Sequence, residues 1–151
     1  KYKGLSYVKA RPHLTIVRFV HGDSNKKFEL TLNLVAQKDI QIRHNSLESA
    51  RQTSNRVLEE ALGKNGYFFR IRKYPFHILR ENAMATGAGA DRMSQGMTLA
   101  FGKPISMAAQ VFKGETVIEV KVNKKDIVIG KKALERARHK LPSTYKIITA
   151  A

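Results

Sequence analysis

The sequence has 151 residues, with 28 Lys and Arg against 12 Asp and Glu for a formal net charge of +16, and 42% of it is hydrophobic. A chain of this length buries roughly 68–70% of its unfolded surface, enough for one packed core. The absence of cysteine excludes disulfides, thiolate catalysis and Cys-ligated zinc.

No apolar run approaches the roughly 18 residues that cross a bilayer, and no signal-like leader is present, so a soluble intracellular protein is expected. So large a charge surplus repels itself in the compact state and is usually kept for a polyanion to neutralise. A membrane-surface binder would gather its charge on one amphipathic helix with a broad apolar face. Here the cations are spread over strands, loops and helices, which favours nucleic acid over membrane.

Residues 1–12 are basic, carry Tyr2, Tyr7, Lys9 and Arg11 without a period, and read as an extended arm. Residues 14–20 are strand-like. Phe28, Leu30, Leu32 and Leu34 alternate with Glu29, Thr31 and Asn33, a half-buried strand that is expected to pair with 14–20 as a hairpin. Ile40 and Ile42 begin another strand. Asn45 and Glu48 have capping-box spacing, and Leu47, Ala50, Val57, Leu58, Ala61 and Leu62 form a helical stripe that Gly63 ends. Arg51 and Arg56 lie off the stripe and are expected to face outward. Arg43 and His44 stand at the helix start, where free N–H groups favour a phosphate.

In the next strand Tyr67, Phe69 and Ile71 share the buried side, which turns Arg70 and Arg72 outward. Residues 64–80 hold five Lys or Arg and no acid. Arg presents a planar fork of donors suited to phosphate oxygens, and Lys73 adds a further charge. Tyr74-Pro75 is a bend, because Pro75 cannot donate to a ladder and restricts its predecessor. Beyond it Phe76, Ile78 and Arg80 share one face, and His77 packs, meets RNA or binds a metal.

Residues 83–98 have no period, three glycines, three methionines and Arg92 near the centre. A loop this long in a small domain is functional or disordered; this one is expected to be mobile alone and to order against a partner. Residues 105–112 and 116–122 have hairpin spacing around Lys113-Gly114-Glu115. A second helix is expected over 131–141, with Ala133, Leu134, Ala137 and Leu141 inward and Arg136 and Arg138 on a basic outer face, stopped by Pro142. Residues 145–148 form a closing strand or a tail.

Catalytic patterns fail. Gly87-Ala88-Gly89 lacks the third glycine and the following helix of a dinucleotide site, and Gly130-Lys131-Lys132 and Gly102-Lys103-Pro104 lack the upstream glycine and the hydroxyl residue of a phosphate loop. The five histidines show no metal-ligand spacing, so neither catalytic residue, metal nor cofactor is assigned.

The runs RIRKYPFHILREN, GAGADRMSQGM and AFGKP, with QIRHNSLESAR upstream, resemble the large-subunit ribosomal protein family called L-ten-e in archaea and eukaryotes, whose bacterial relative is L-sixteen. The similarity runs over residues 4–147, and the chain starts at Lys1 without most of the family's longer basic N-terminal stretch. The resemblance implies a compact two-layer α+β domain. It implies attachment to large-subunit ribosomal RNA at the base of the central protuberance near the A-site tRNA cleft. The 83–98 loop would point to the peptidyl-transferase region, help place the tRNA acceptor arm and report late subunit assembly. Implied partners are large-subunit rRNA, 5S rRNA, A-site and P-site tRNA and neighbouring ribosomal proteins, in the cytoplasm.

The expected fold is therefore one α+β domain with a mixed or antiparallel sheet, two main helices and one long functional loop. The residues assigned to RNA are Arg43, His44, Arg51, Arg56, Arg70, Arg72, Lys73, His77 and Arg80 on the body, Arg92 and Gln95 in the loop, Lys103 at its return, and Arg136 and Arg138 on the second helix. Rival readings are an RNA-modifying enzyme that uses the loop as a lid over a nucleotide pocket, and a general basic RNA chaperone.

Overall fold

The computed structural model describes residues 8–89 and 96–150. Eight strands, β1 (Val20–Gly22), β2 (Leu30–Ala36), β3 (Ile40–Arg43), β4 (Phe68–Ile71), β5 (His77–Glu81), β6 (Lys103–Val111), β7 (Thr116–Val122) and β8 (Tyr145–Ala150), build two sheets. One is five-stranded in the order β1-β4-β7-β2-β8, the other three-stranded in the order β3-β6-β5. Every pairing is antiparallel. Helices α1 (His44–Leu62) and α2 (Ile127–Arg138) complete the α+β fold.

Strand alternation decides which face is buried. Leu32, Leu34, Phe69, Ile71, Ile118, Val120 and Val122 fill one side of the larger sheet at 3% exposure or less. Both helices lie on that side. Ala133, Leu134 and Ala137 of α2 pack there, and α1 adds Leu47, Ala50 and Leu58 to the same core. The Ser54 hydroxyl of α1 donates 3.1 Å to the Ala133 carbonyl of α2 in a fully buried position. Ile42, Ala109 and Val111 of the smaller sheet join this core, so α1 links the two sheets.

Four local expectations are corrected. Residues 14–20 do not form a hairpin with β2: β2 gives one edge to β7 and the other to β8, and the short β1 pairs with β4 instead. Residues 105–112 and 116–122 are both strands but not partners. β6 is flanked by β3 and β5, and the turn after it passes the chain to the other sheet, held where Gly114 N–H donates to Ala36 O and Ala36 N–H to Glu115 O. Asn45 is not a cap. The helix begins at His44 with Arg43 extended before it and no side-chain cap, because the Glu48 carboxylate is taken by Arg51 and Gln52. The second helix runs from Ile127 rather than residue 131 and ends at Arg138 rather than residue 141, with Leu141 still buried beyond it.

Other expectations hold. Gly63 closes α1, its N–H donating to Glu59 O at 3.0 Å. Pro75 is buried in the segment that carries the chain from the five-stranded to the three-stranded sheet. Residues 145–150 form a closing strand against β2.

Candidate nucleic-acid interface

With both helices on one side, the opposite face of the larger sheet is left to its polar alternates. Across β4 and β7, Phe68 stands opposite Lys121 and Arg70 opposite Glu119. Asn33 and Thr31 continue the same rows on β2. Arg70 and Arg72 are exposed on this face, as their alternation with Phe69 and Ile71 requires. Arg72 donates to Glu119 at 2.8 Å, and Lys121 approaches the other oxygen at 3.5 Å. Arg70 makes no ion pair among the described residues. Lys73 pairs with Glu115, which, with the Phe112 N–H, holds that carboxyl below the usual range.

A second group sits on the three-stranded sheet. Arg43 and His77 both stand opposite Ala108 of the central strand, so they flank it in one row of the same face. Ala108 between them is fully buried. His77 Nδ1 is closed off from solvent with no hydrogen-bond partner among the described residues.

Arg80 has a different place from the one expected of a phosphate contact. It stands at the end of the β5–β6 pair, where residues 82–102 connect the two strands. Its guanidinium donates to Gly102 O at 2.9 Å and lies 4.3 Å from the centre of the Phe101 ring. A Cβ on Gly102 would stand 2.8 Å from the Glu81 backbone, so only glycine lets the two ends of the connection meet so closely. Arg80 thus clamps the stem of the long loop, and Lys103 begins the returning strand, opposite Glu81. The described parts of the loop carry no strand or helix, and Met84 and Met97 are exposed. Arg92 and Gln95 lie outside the described residues.

On α1 the two arginines differ. Arg56 is exposed and pairs with Glu60 one turn on. Arg51 does not face outward: its side chain is 13% exposed, forked onto both Glu48 oxygens and donating to His21 Nε2 at 2.9 Å. The apolar stripe did not foretell this, because the covering strand β1 comes from a distant part of the chain. Burial, then the charges of Arg51 and Arg18, lower the His21 pKa, so the ring stays a neutral acceptor. His44 is also inward, 5% exposed, its Nδ1 accepting from the Thr15 N–H at 3.2 Å. Burial first, and then Arg43 and His13, lower its pKa. It fastens the segment before β1 to the start of α1.

Arg136 and Arg138 lie on α2, on the other side of the large sheet from Arg70 and Arg72; Arg138 pairs with Glu135 at 3.3 Å. The assigned cations therefore form separate surfaces rather than one patch. Sequence reading missed Lys121, whose two-residue offset from Glu119 would have placed it beside the arginines. It also missed the aromatic stack in which Phe19 lies 5.3 Å from Tyr74 and Tyr74 4.6 Å from the exposed Phe76.

Among the described residues, no cluster of three or more His, Asp or Glu could hold a metal ion, and no helix is long and apolar enough to cross a membrane.

Residues 1–148 match the family model described as ribosomal protein L16p/L10e. The large ribosomal subunit protein uL16 of Methanococcus maripaludis strain C7 is 46% identical over 147 residues, 97% of this chain and 85% of the relative. The protein of the same name from Staphylothermus marinus is 44% identical over 147 residues, 97% and 84% of the two chains. That from Picrophilus torridus is 44% identical over 137 residues, 91% and 78%.

Proposed function

The chain belongs to the ribosomal protein L16p/L10e family, and from that premise we propose that it holds large-subunit ribosomal RNA through its separate cationic surfaces. It is a ribosomal protein of the large subunit, a structural constituent of the translation machinery and not an enzyme. The observation that carries the RNA assignment is the helix-free face of the five-stranded sheet, where, among the described residues, Arg70, Arg72 and Lys121 surround Glu119. A rigid sheet with its cations fixed in register positions them against phosphates at little entropic cost.

In this reading Arg70, Arg72 and Lys73 face one RNA segment, Arg43 and His77 a second, and Arg136 and Arg138 a third on the far side. A protein with cations on several faces suits a site embedded between RNA helices and neighbouring proteins. His44 and Arg51 act indirectly, by holding the segment before β1 and β1 itself against α1. Arg80 and Lys103 set the direction in which the 83–98 loop leaves the body, and Arg92 and Gln95 act from that loop.

The finer placement is part of the same proposal: the base of the central protuberance beside the A-site tRNA cleft, the loop toward the peptidyl-transferase region, with 5S rRNA and tRNA within reach and a role in late assembly. Support comes from the length of the β5–β6 connection, the closed stem that aims it, and the exposed Met84 and Met97, which adapt to irregular surfaces. The test is binding of the whole chain to large-subunit rRNA over a salt series. Affinity should fall steeply with salt, by a log–log slope of about −0.7 to −0.9 per phosphate neutralised. Binding that ignores salt, or shows no preference for this RNA over heparin, would overturn the proposal.

A further inference from the structure

The exposed residues of β4 continue past the end of the strand. Arg70, Arg72, Tyr74 and Phe76 are exposed in alternation while Ile71 and Pro75 between them are buried, so two guanidiniums and two aromatic rings follow one another along the surface. We propose that this series is a site for single-stranded RNA, in which one unpaired base stacks on Phe76 and the adjoining phosphates lie on Arg72 and Arg70. The inference rests on the RNA-binding reading and adds to it a subsite with its own ligand chemistry.

The aromatic end of the series is built as a platform. Tyr74 stacks on Phe19 with ring centres 5.3 Å apart and planes 26° apart, and Phe76 follows 4.6 Å from Tyr74, tilted by 48°. Phe19 is held from outside the stack, because its carbonyl accepts the Ile71 N–H at 2.8 Å and so ties the segment before β1 to the end of β4. The buried Pro75 and a 3.1 Å bond from the Phe76 N–H to the Tyr74 carbonyl hold the bend between the last two rings. The stack is therefore ordered before a ligand arrives, and a base added to it costs little side-chain entropy. Phe76 ends the stack. Tyr74 is its one ring contact among the described residues and lies to one side, and Phe76 is still 67% exposed, which leaves its outer side to a further planar group.

Charge selects a nucleic-acid base over an apolar protein side chain as that group. Residues 61–80 contain no acid. Arg70 makes no ion pair among the described residues, and Arg72, though bonded to Glu119, keeps 51% of its side chain exposed. Aromatic rings continuous with cations match a strand whose bases stack while its phosphates are neutralised. Bases within an RNA helix are already stacked on one another, so the occupant is an unstacked base from a loop, bulge or end. A phenyl ring reads no hydrogen-bonding edge, and the subsite accepts any of the four bases.

The test exploits a chain that has no tryptophan, in which Phe76→Trp introduces a single fluorescent reporter at the platform. Whole-chain Phe76→Trp should bind an unstructured RNA octamer at least as tightly as the wild type, and its emission should be quenched as the base stacks. Phe76→Ala should weaken octamer binding about tenfold. It should keep the wild-type salt slope, because no charge is removed, whereas Arg70→Gln should lower that slope by about 0.7. Thermal unfolding of each variant separates a lost site from a lost fold, and Phe76→Leu, which keeps the apolar bulk without an aromatic face, should weaken binding as Phe76→Ala does. Octamer affinity unchanged in both Phe76→Ala and Phe76→Leu, or no quenching of Phe76→Trp at saturating octamer, would overturn the subsite while leaving attachment to ribosomal RNA standing. Displacement of the octamer by a neutral proline-rich peptide at equal concentration would give the ring to a protein segment and likewise overturn the subsite. Failure of the wild-type chain to bind either the octamer or large-subunit RNA would remove both readings.

Discussion

Arg72 and Glu119 are joined across the β4–β7 pairing by a 2.8 Å hydrogen bond, and the Glu119 side chain is only 8% exposed. The same carboxylate is approached by Lys121 and faces Arg70 in the register. One buried acid thus ties Arg72 and Lys121 on one face of the sheet while Arg70, opposite it in register, makes no ion pair among the described residues, so the three cations are unequal.

Arg72 is therefore structural as well as a candidate contact. Arg72→Glu would set a second carboxylate against Glu119, and the expected cost is about 2–4 kcal/mol of stability. Arg70 has no such partner among the described residues. Arg70→Gln should change stability by less than about 0.5 kcal/mol and lower the salt slope of RNA binding by about 0.7–0.9. Urea unfolding paired with a salt series checks both. A large loss of stability in Arg70→Gln would mean that its role is in the fold.

Gly130 lets α2 approach the sheet. A Cβ there would lie 2.5 Å from Leu32 Cδ1 and 3.3 Å from Val122 Cγ2, both side chains fully buried. Because Leu32 and Val122 are fully buried, Gly130→Ala should destabilise by about 1–3 kcal/mol through overpacking. That outcome would reverse the ordinary gain from alanine in a helix interior. An unfolding midpoint equal to or above that of the wild type would show that the helix can shift without cost.

Acid should weaken the fold through His21 and His44. Both pKa values are lowered from 6.5 in the folded chain, His21 by burial, Arg51 and Arg18, His44 by burial, Arg43 and His13. As pH falls through 6.5 the unfolded chain takes up these protons before the folded one does. The stability from neutral rings is thus present above that value and is lost as pH falls through the folded pKa values. The melting temperature should decline as pH falls below about 6.5, and His21→Asn with His44→Asn should flatten that decline. An unaltered slope in the double variant would assign the effect to other groups.

Replacing residues 83–97 by a short Gly-Ser linker should leave the melting temperature within a few degrees of the wild type. The described residues of this stretch are exposed and outside both sheets, and the substitution keeps Arg80, Phe101 and Gly102 at the stem. Large subunits carrying the linker protein are expected to assemble late or translate poorly. Unfolding of the linker protein would show that the loop is part of the core.

Much of this protein is legible in its sequence because burial leaves periodic marks. Alternation at Leu32 and Leu34 and at Phe69 and Ile71 fixed which side of each strand is inward, and the helical stripe with Gly63 fixed α1. The surplus of Lys and Arg gave the class of partner, and the AFGKP and PFHILREN runs gave the family. Tertiary structure decided pairing and the roles of individual cations, since both depend on neighbours remote in sequence. β6 and β7 are consecutive yet belong to different sheets, because each strand takes the hydrogen-bonding edges and apolar neighbours that the assembled core offers. Arg51 and Arg70 both looked like outward cations; one is held by Glu48 and His21, the other stands exposed. Local pattern determines which face of an element is apolar, but only packing determines which charge remains for a partner.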